Sequence, residues 1–128
     1  MYDITNRNEF NEIKDYFIVK VKQLCKNNVK VILVGNKTDL EIKREISYDE
    51  GINLAYLNNY LFIETSCLKN KNVYETFEKI IEIYMLSFKY SEKKIKKYIK
   101  ENLEKQMAVK NELLIPEYIN KLSSYLNY

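Results

Sequence analysis

At 128 residues, with 46% hydrophobic residues and a formal net charge of +3, the chain has room for one domain and enough apolar mass for a core. Two cysteines, Cys25 and Cys67, and no histidine argue against a disulfide framework or a zinc site and for a reducing compartment. No apolar run approaches the length of a membrane span, and the Met1-Tyr2-Asp3 start lacks a basic-then-apolar signal, so a soluble, cytoplasmic protein is expected.

Tyr2, Asp3 and Ile4 read as the end of a strand. Asn6-x-x-Glu9 then has capping-box spacing, in which each side chain satisfies the other residue's backbone N–H. A helix should follow, with Phe10, Ile13, Phe17, Val21 and Leu24 as one buried stripe running to about Lys26. Val29, Val31, Ile32, Leu33 and Val34 form a nearly continuous, mostly β-branched run, the pattern of a parallel strand covered on both faces. Gly35 reads as the point where the backbone turns without a Cβ clash.

Ser47-x-x-Glu50 repeats the capping signal, and Ile52, Ala55 and Tyr56 give a short stripe that stops near Asn58 and Asn59. A further strand is expected over 61–65. Asn72-x-x-Glu75 is a third capping spacing, opening a helix whose stripe of Val73, Phe77, Ile80, Ile81, Tyr84, Met85 and Phe88 is the strongest in the chain. Strand and helix alternating three times imply an α/β fold, a parallel sheet of about three strands with right-handed crossovers and flanking helices.

Residues 89–110 hold eight lysines and three glutamates around a narrow seam of Ile95, Ile99, Leu103 and Met107. They read as a continuation of the last helix with a solvated face. Glu101 and Glu104 among the lysines, and the lack of a base-stacking module, argue against nucleic acid as a partner. Pro116 suits the first turn of one more helix, with Tyr118, Ile119, Leu122, Tyr125 and Leu126 on its apolar face. The expected division is residues 1–88 and a basic helical tail, 89–128.

In open α/β sheets ligands lie beyond the carboxyl ends of the strands, where Asn36, Lys37 and Asp39 fall. A fixed carboxylate such as Asp39 can accept two hydrogen bonds from the N1–H and N2 amino edge of guanine, whereas adenine offers no donor at N1. The Lys37 stem would lie over the ring and Asn36 would tie the loop together. A plain polar turn explains Asn36-Lys37-Thr38-Asp39 equally well, so a second motif must decide.

That motif is Phe62-Ile63-Glu64-Thr65-Ser66-Cys67, another apolar strand ending in small polar residues. With it the chain resembles the Rab branch of the Ras-like small GTPases. Asn36-Lys37-Thr38-Asp39 is similar to the family's guanine-specificity loop, and Glu64-Thr65-Ser66-Cys67-Leu68 to its Glu-Thr-Ser-Ala-Lys loop, with Cys67 and Leu68 in place of Ala and Lys. Tyr2-Asp3-Ile4-Thr5-Asn6-Arg7 and Arg44-Glu45-Ile46-Ser47-Tyr48-Asp49-Glu50-Gly51 also resemble Rab sequences. The resemblance implies half of a P-loop NTPase-like, Ras-like domain that binds GTP or GDP through Asn36, Lys37, Asp39, Ser66 and Cys67, a backbone N–H of the second loop meeting guanine O6. It further implies GTP hydrolysis in vesicle-mediated transport, Rab regulators or effectors as partners, and a place at the periphery of endomembranes.

The family's phosphate-binding Gly-x-x-x-x-Gly-Lys-Ser/Thr is not in this sequence, because five residues after its two glycines, Gly35 and Gly51, stand Leu40 and Tyr56. The Asp-x-x-Gly of the second switch fails too, since Ile32 and Tyr48 stand three residues before them. By resemblance the chain begins where the family's fourth strand would end, which bares a sheet edge. Mg2+ ligands are therefore missing, and no catalysis is expected from this chain alone. The ending Tyr125-Leu126-Asn127-Tyr128 has no cysteine for prenylation. The alternative reading is a catalytically inactive GTPase remnant acting as a protein-interaction module; a basic module for membrane surfaces ranks behind both.

Overall fold

The computed structural model describes residues 1–25 and 29–110. The expectations placed on Lys26 and on the segment beginning at Pro116 lie outside the described residues. Three parallel strands, β1 (Tyr2–Asp3), β2 (Ile32–Asn36) and β3 (Leu61–Glu64), form one sheet in the order β1-β2-β3. Tyr2 lies opposite Gly35, Leu33 opposite Phe62, and Gly35 opposite Glu64, so these residues share one face. On that face Tyr2, Leu33 and Phe62 join Ile52 and Ala55 in the buried core. The α/β architecture is as expected.

The first helical stretch departs from its expected stripe. It runs as α1 (Arg7–Glu12), a π-helical turn over Ile13–Phe17, and α2 (Ile18–Leu24). The Ile18 N–H reaches back five residues to the Ile13 carbonyl, so the residue buried after Ile13 is Ile18, while Phe17 and Leu24 are exposed. One extra residue in the turn rotates every later side chain relative to a 3.6-residue repeat.

Of the three capping boxes, only Ser47 with Glu50 closes reciprocally, at 3.1 and 2.9 Å, and it starts α3 (Tyr48–Asn58). Asn6 does cap α1, accepting from the N–H groups of Asn8 and Glu9, but the Glu9 carboxylate goes to the Asp3 N–H instead of that of Asn6. Asn72 does not cap at all. It sits at φ 57 and its side-chain amide donates to the Glu64 carbonyl at 2.8 Å.

Gly35 is not the turn. It belongs to β2, and the chain reverses two residues later, where Lys37 adopts φ 66. What Gly35 supplies is space: a Cβ there would stand 3.0 Å from the Tyr2 hydroxyl. Gly51 serves the same ring from α3, so both glycines of the sequence make room for one tyrosine. At the β1 edge only two residues are paired, and both backbone groups of Asp3 are engaged locally, the N–H by Glu9 and the carbonyl by the Asn6 N–H.

The last two described helices, α4 (Val73–Lys89) and α5 (Glu92–Lys110), are separate, because Tyr90 is extended between them. α5 folds back: Tyr98 donates to Glu82 at 2.6 Å, and Lys79 of α4 lines one small cavity with Asn102 and Gln106. It packs on α3, β3 and α4, burying Ile95, Ile99 and Leu103 in the core, so this seam is docked and only its lysine side is solvated. The outcome for α4 is the reverse of its sequence pattern. Ile83 is its one buried residue, while Phe77, Ile81, Tyr84, Met85 and Phe88 face solvent among the described residues. No described helix is long and apolar enough to cross a membrane.

Candidate functional site

The carboxyl ends of β2 and β3 are joined by backbone hydrogen bonds. Thr65 donates to the Gly35 carbonyl at 2.8 Å and Thr38 to the Thr65 carbonyl at 3.1 Å, so the two loops sit side by side. Asn36 fastens them through its side chain, its Oδ1 accepting the Thr65 hydroxyl at 3.0 Å and the Cys67 thiol at 3.6 Å.

Lys37 occupies the left-handed region, which a non-glycine residue enters at a cost and holds only when its surroundings fix it. The Leu40 N–H closes on the Lys37 carbonyl at 2.9 Å, and the ammonium lies 2.6 Å from Asp3 Oδ2. The other Asp3 oxygen accepts the Thr5 N–H and hydroxyl at 2.8 and 2.7 Å. Burial pushes the Asp3 carboxyl up, but the hydrogen bonds from Lys37 and Thr5 outweigh it and hold the group below its ordinary value. The same hydrogen bond with Asp3 holds the Lys37 ammonium above its own.

Asp39 follows in a short 3-10 turn, Thr38–Lys43, and accepts the Ser66 hydroxyl on Oδ1. Ser66 is fully buried. Its oxygen also accepts the Lys69 N–H at 3.1 Å, and its backbone pairs in both directions with Lys71. The Ser66 amide is therefore spent, and Ser66 touches the site through Asp39. The Cys67 amide, by contrast, has no partner among the described residues. All five residues singled out from the sequence thus meet at one place, with Lys37 and Cys67 exposed and Asn36 and Asp39 half-buried.

Two neighbours escaped the sequence reading. Thr65 is buried and links the loops, and Asp3 reaches in from β1. The available signal for Asp3 was register, since a residue ending one parallel strand lies level with the residue ending the next, in this case Asn36. Beside the site Arg44 grips Glu64 with both ends of its guanidinium, at 2.7 and 3.0 Å, and takes Glu41 as well. The hydrogen bonds with Glu64 push the guanidinium further up, so this cation is fixed in a structural role. Among the described residues no group of three or more acidic, cysteine or histidine side chains is placed to hold a metal ion.

The Ras family model matches residues 1–86. The chain belongs to the Ras family. It is 43% identical over 83 residues to the Ras-related protein Rab-3 of Caenorhabditis elegans, an alignment covering 65% of this chain and 37% of that one. The Ras-related protein Rab-3A of Homo sapiens is 40% identical over 83 residues, covering 65% and 37%. The Ras-related protein Rab-4 of Dictyostelium discoideum is 41% identical over 85 residues, covering 66% and 41%. This Ras-family chain is of Rab type, and it spans about two fifths of the length of the curated relatives it matches. The matched region ends within α4 and leaves α5 outside.

Proposed function

We propose that this chain carries the guanine-recognition half of a Rab-type GTPase that binds GTP and GDP in vesicle-mediated transport. The supporting observation is the meeting of Asn36, Lys37 and Asp39 with Ser66 and Cys67 at the carboxyl ends of two adjacent parallel strands. On this reading Asp39 accepts from the N1–H and N2 amino edge of guanine, and Ser66 aims it. The Cys67 amide donates to O6, and the Lys37 stem lies against the ring.

Base contacts select; much of the affinity for a nucleotide comes from charge-assisted phosphate contacts. No phosphate loop occurs in these 128 residues, and among the described residues no group of three or more acidic, cysteine or histidine side chains is placed to hold a metal ion. Hydrolysis therefore requires a phosphate-binding segment from outside this sequence, and the chain by itself should hold guanine weakly and turn nothing over. Residues 1–88 form the GTPase half on this reading, and 89–128 its extension. Rab regulators and effectors are the expected partners, at the periphery of endomembranes.

The test is base preference. In NMR titrations of the full chain, guanosine should shift the amides of both loops more than adenosine does. Asp39→Asn exchanges an acceptor for a donor and should move preference toward xanthosine, with about 1 to 3 kcal/mol of discrimination at stake. Equal response of wild type and variant to all three nucleosides would sink the guanine reading.

A further inference from the structure

The ion pair between β1 and the Lys37 loop assigns a role that the guanine reading does not contain. Asp3 is held before it meets Lys37: its side chain is 12% exposed, its Oδ1 takes both Thr5 donors, and its backbone is bonded to Glu9 and Asn6. Oδ2 is left to face the Lys37 ammonium at 2.6 Å. Lys37 in turn is half exposed, on a flexible four-carbon stem, at a left-handed backbone position next to Asp39. A free lysine there would sample many rotamers, and ordering it on binding would weaken the complex.

We propose that Asp3 is a positioning residue for the guanine loop: by holding Lys37 in one place beside Asp39 before any ligand arrives, it sets how tightly a purine is held, while Asp39 sets which purine. This rests on the guanine reading above. It divides the labour between two carboxylates of the same site. Asp39 reads a hydrogen-bonding edge and so discriminates between bases. Asp3 acts only through the lysine stem, whose apolar carbons meet the face of any purine alike.

The experiment uses the full chain and two probes, guanosine and xanthosine, with loop amides followed by NMR. Asp3→Asn keeps an acceptor for Thr5 but removes the charge opposite Lys37. It should weaken both nucleosides equally, by about fivefold, the scale of a partly exposed ion pair. Lys37→Met should leave Asp3 nothing to position, so Asp3→Asn added to Lys37→Met should cost no more than Lys37→Met alone. Losses that multiply in the double variant, or a change in the guanosine to xanthosine ratio with Asp3→Asn, would overturn the positioning role and leave the guanine reading standing. No nucleoside response in wild type would overturn both.

A measurement that needs no Asp3 variant guards against misfolding. The Asp3 carboxyl carbon in the free wild type should titrate below its ordinary value and move upward in Lys37→Met. An Asp3 titration indifferent to Lys37→Met would overturn the proposal even where guanosine binds.

Discussion

Ser66 donates its hydroxyl hydrogen to Asp39 Oδ1, so a carboxylate on the loop after β2 is aimed by a side chain on the loop after β3. Both oxygens of a carboxylate must lie in one plane with a base edge to accept two bonds from it, and a rotor as short as Asp is aligned only if something fixes it. Ser66→Ala removes that hold and also leaves the part-buried Lys69 N–H without its acceptor. The expected cost in urea unfolding is about 2 kcal/mol, in the range for hydrogen bonds to charged groups, together with weaker guanosine binding. Unchanged stability and unchanged binding would show that Asp39 orients itself.

The end of the Tyr2 ring leaves no room for a Cβ at Gly51. Its hydroxyl is buried and finds no hydrogen-bond partner among the described residues, and burial raises its pKa beyond the ordinary tyrosine range. A Cβ on Gly51 would meet that hydroxyl and stand 2.7 Å from Phe62 Cζ. Gly51→Ala should therefore destabilise by about 1 to 3 kcal/mol, as overpacked cores do. Tyr2→Phe removes an unsatisfied polar atom and should be neutral or stabilising, and it should recover part of the Gly51→Ala loss in the double variant. A large loss from Tyr2→Phe in urea unfolding would mean that the hydroxyl has a partner after all.

Acid should act through Glu50. Its hydrogen bonds with the Arg7 guanidinium and the Ser47 N–H bring its pKa from an ordinary 4.5 down to about 2. A folded-state pKa below the unfolded one means stability that is fully present above about pH 4.5 and is lost as pH falls toward 2. Both side chains are more than a third exposed, so salt should shrink the effect. Glu50→Gln keeps an acceptor for Ser47 but cannot titrate, and should show a flatter stability profile between pH 4.5 and 2 than wild type. Identical profiles would rule out the Arg7 pair as an acid-sensitive contact.

How far the chain could be read in advance depended on whether a residue's neighbours in sequence were also its neighbours in space. β2 was legible because a buried parallel strand needs an apolar run, and the Ser47 box because both of its partners lie within one helical turn. Asn72 has the same spacing as Ser47, yet its amide is taken by the Glu64 carbonyl, which only the return of β3 brings near. Phe17 and Ile18 are adjacent and both apolar, so periodicity could not choose between them; the π-helical turn does. The loops that follow β2 and β3 were legible as pieces, whereas Asp3 at Lys37 required the register of β1 on β2. A helical stripe states that a face is apolar, never what covers it. That is why α4 and α5, both striped, ended with opposite exposures.

Those opposite exposures give the sharpest test of the fold. Leu103 of α5 is fully buried in the cluster that includes Ile83, Ile95 and Ile99, although it lies beyond the region shared with the Ras family. Leu103→Ala should cost about 2 to 5 kcal/mol, the range for truncating a buried leucine. Phe77 of α4, in the stripe with the strongest apolar pattern, is 62% exposed, and Phe77→Ala should change stability by no more than about 0.5 kcal/mol. Urea unfolding of the two variants in the full chain decides the matter. If Phe77→Ala is the costly one and Leu103→Ala the silent one, then α4 packs by its outward stripe and α5 stands free. Only a costly Leu103→Ala beside a near-silent Phe77→Ala is compatible with α5 serving as the core's cover over α3 and β3.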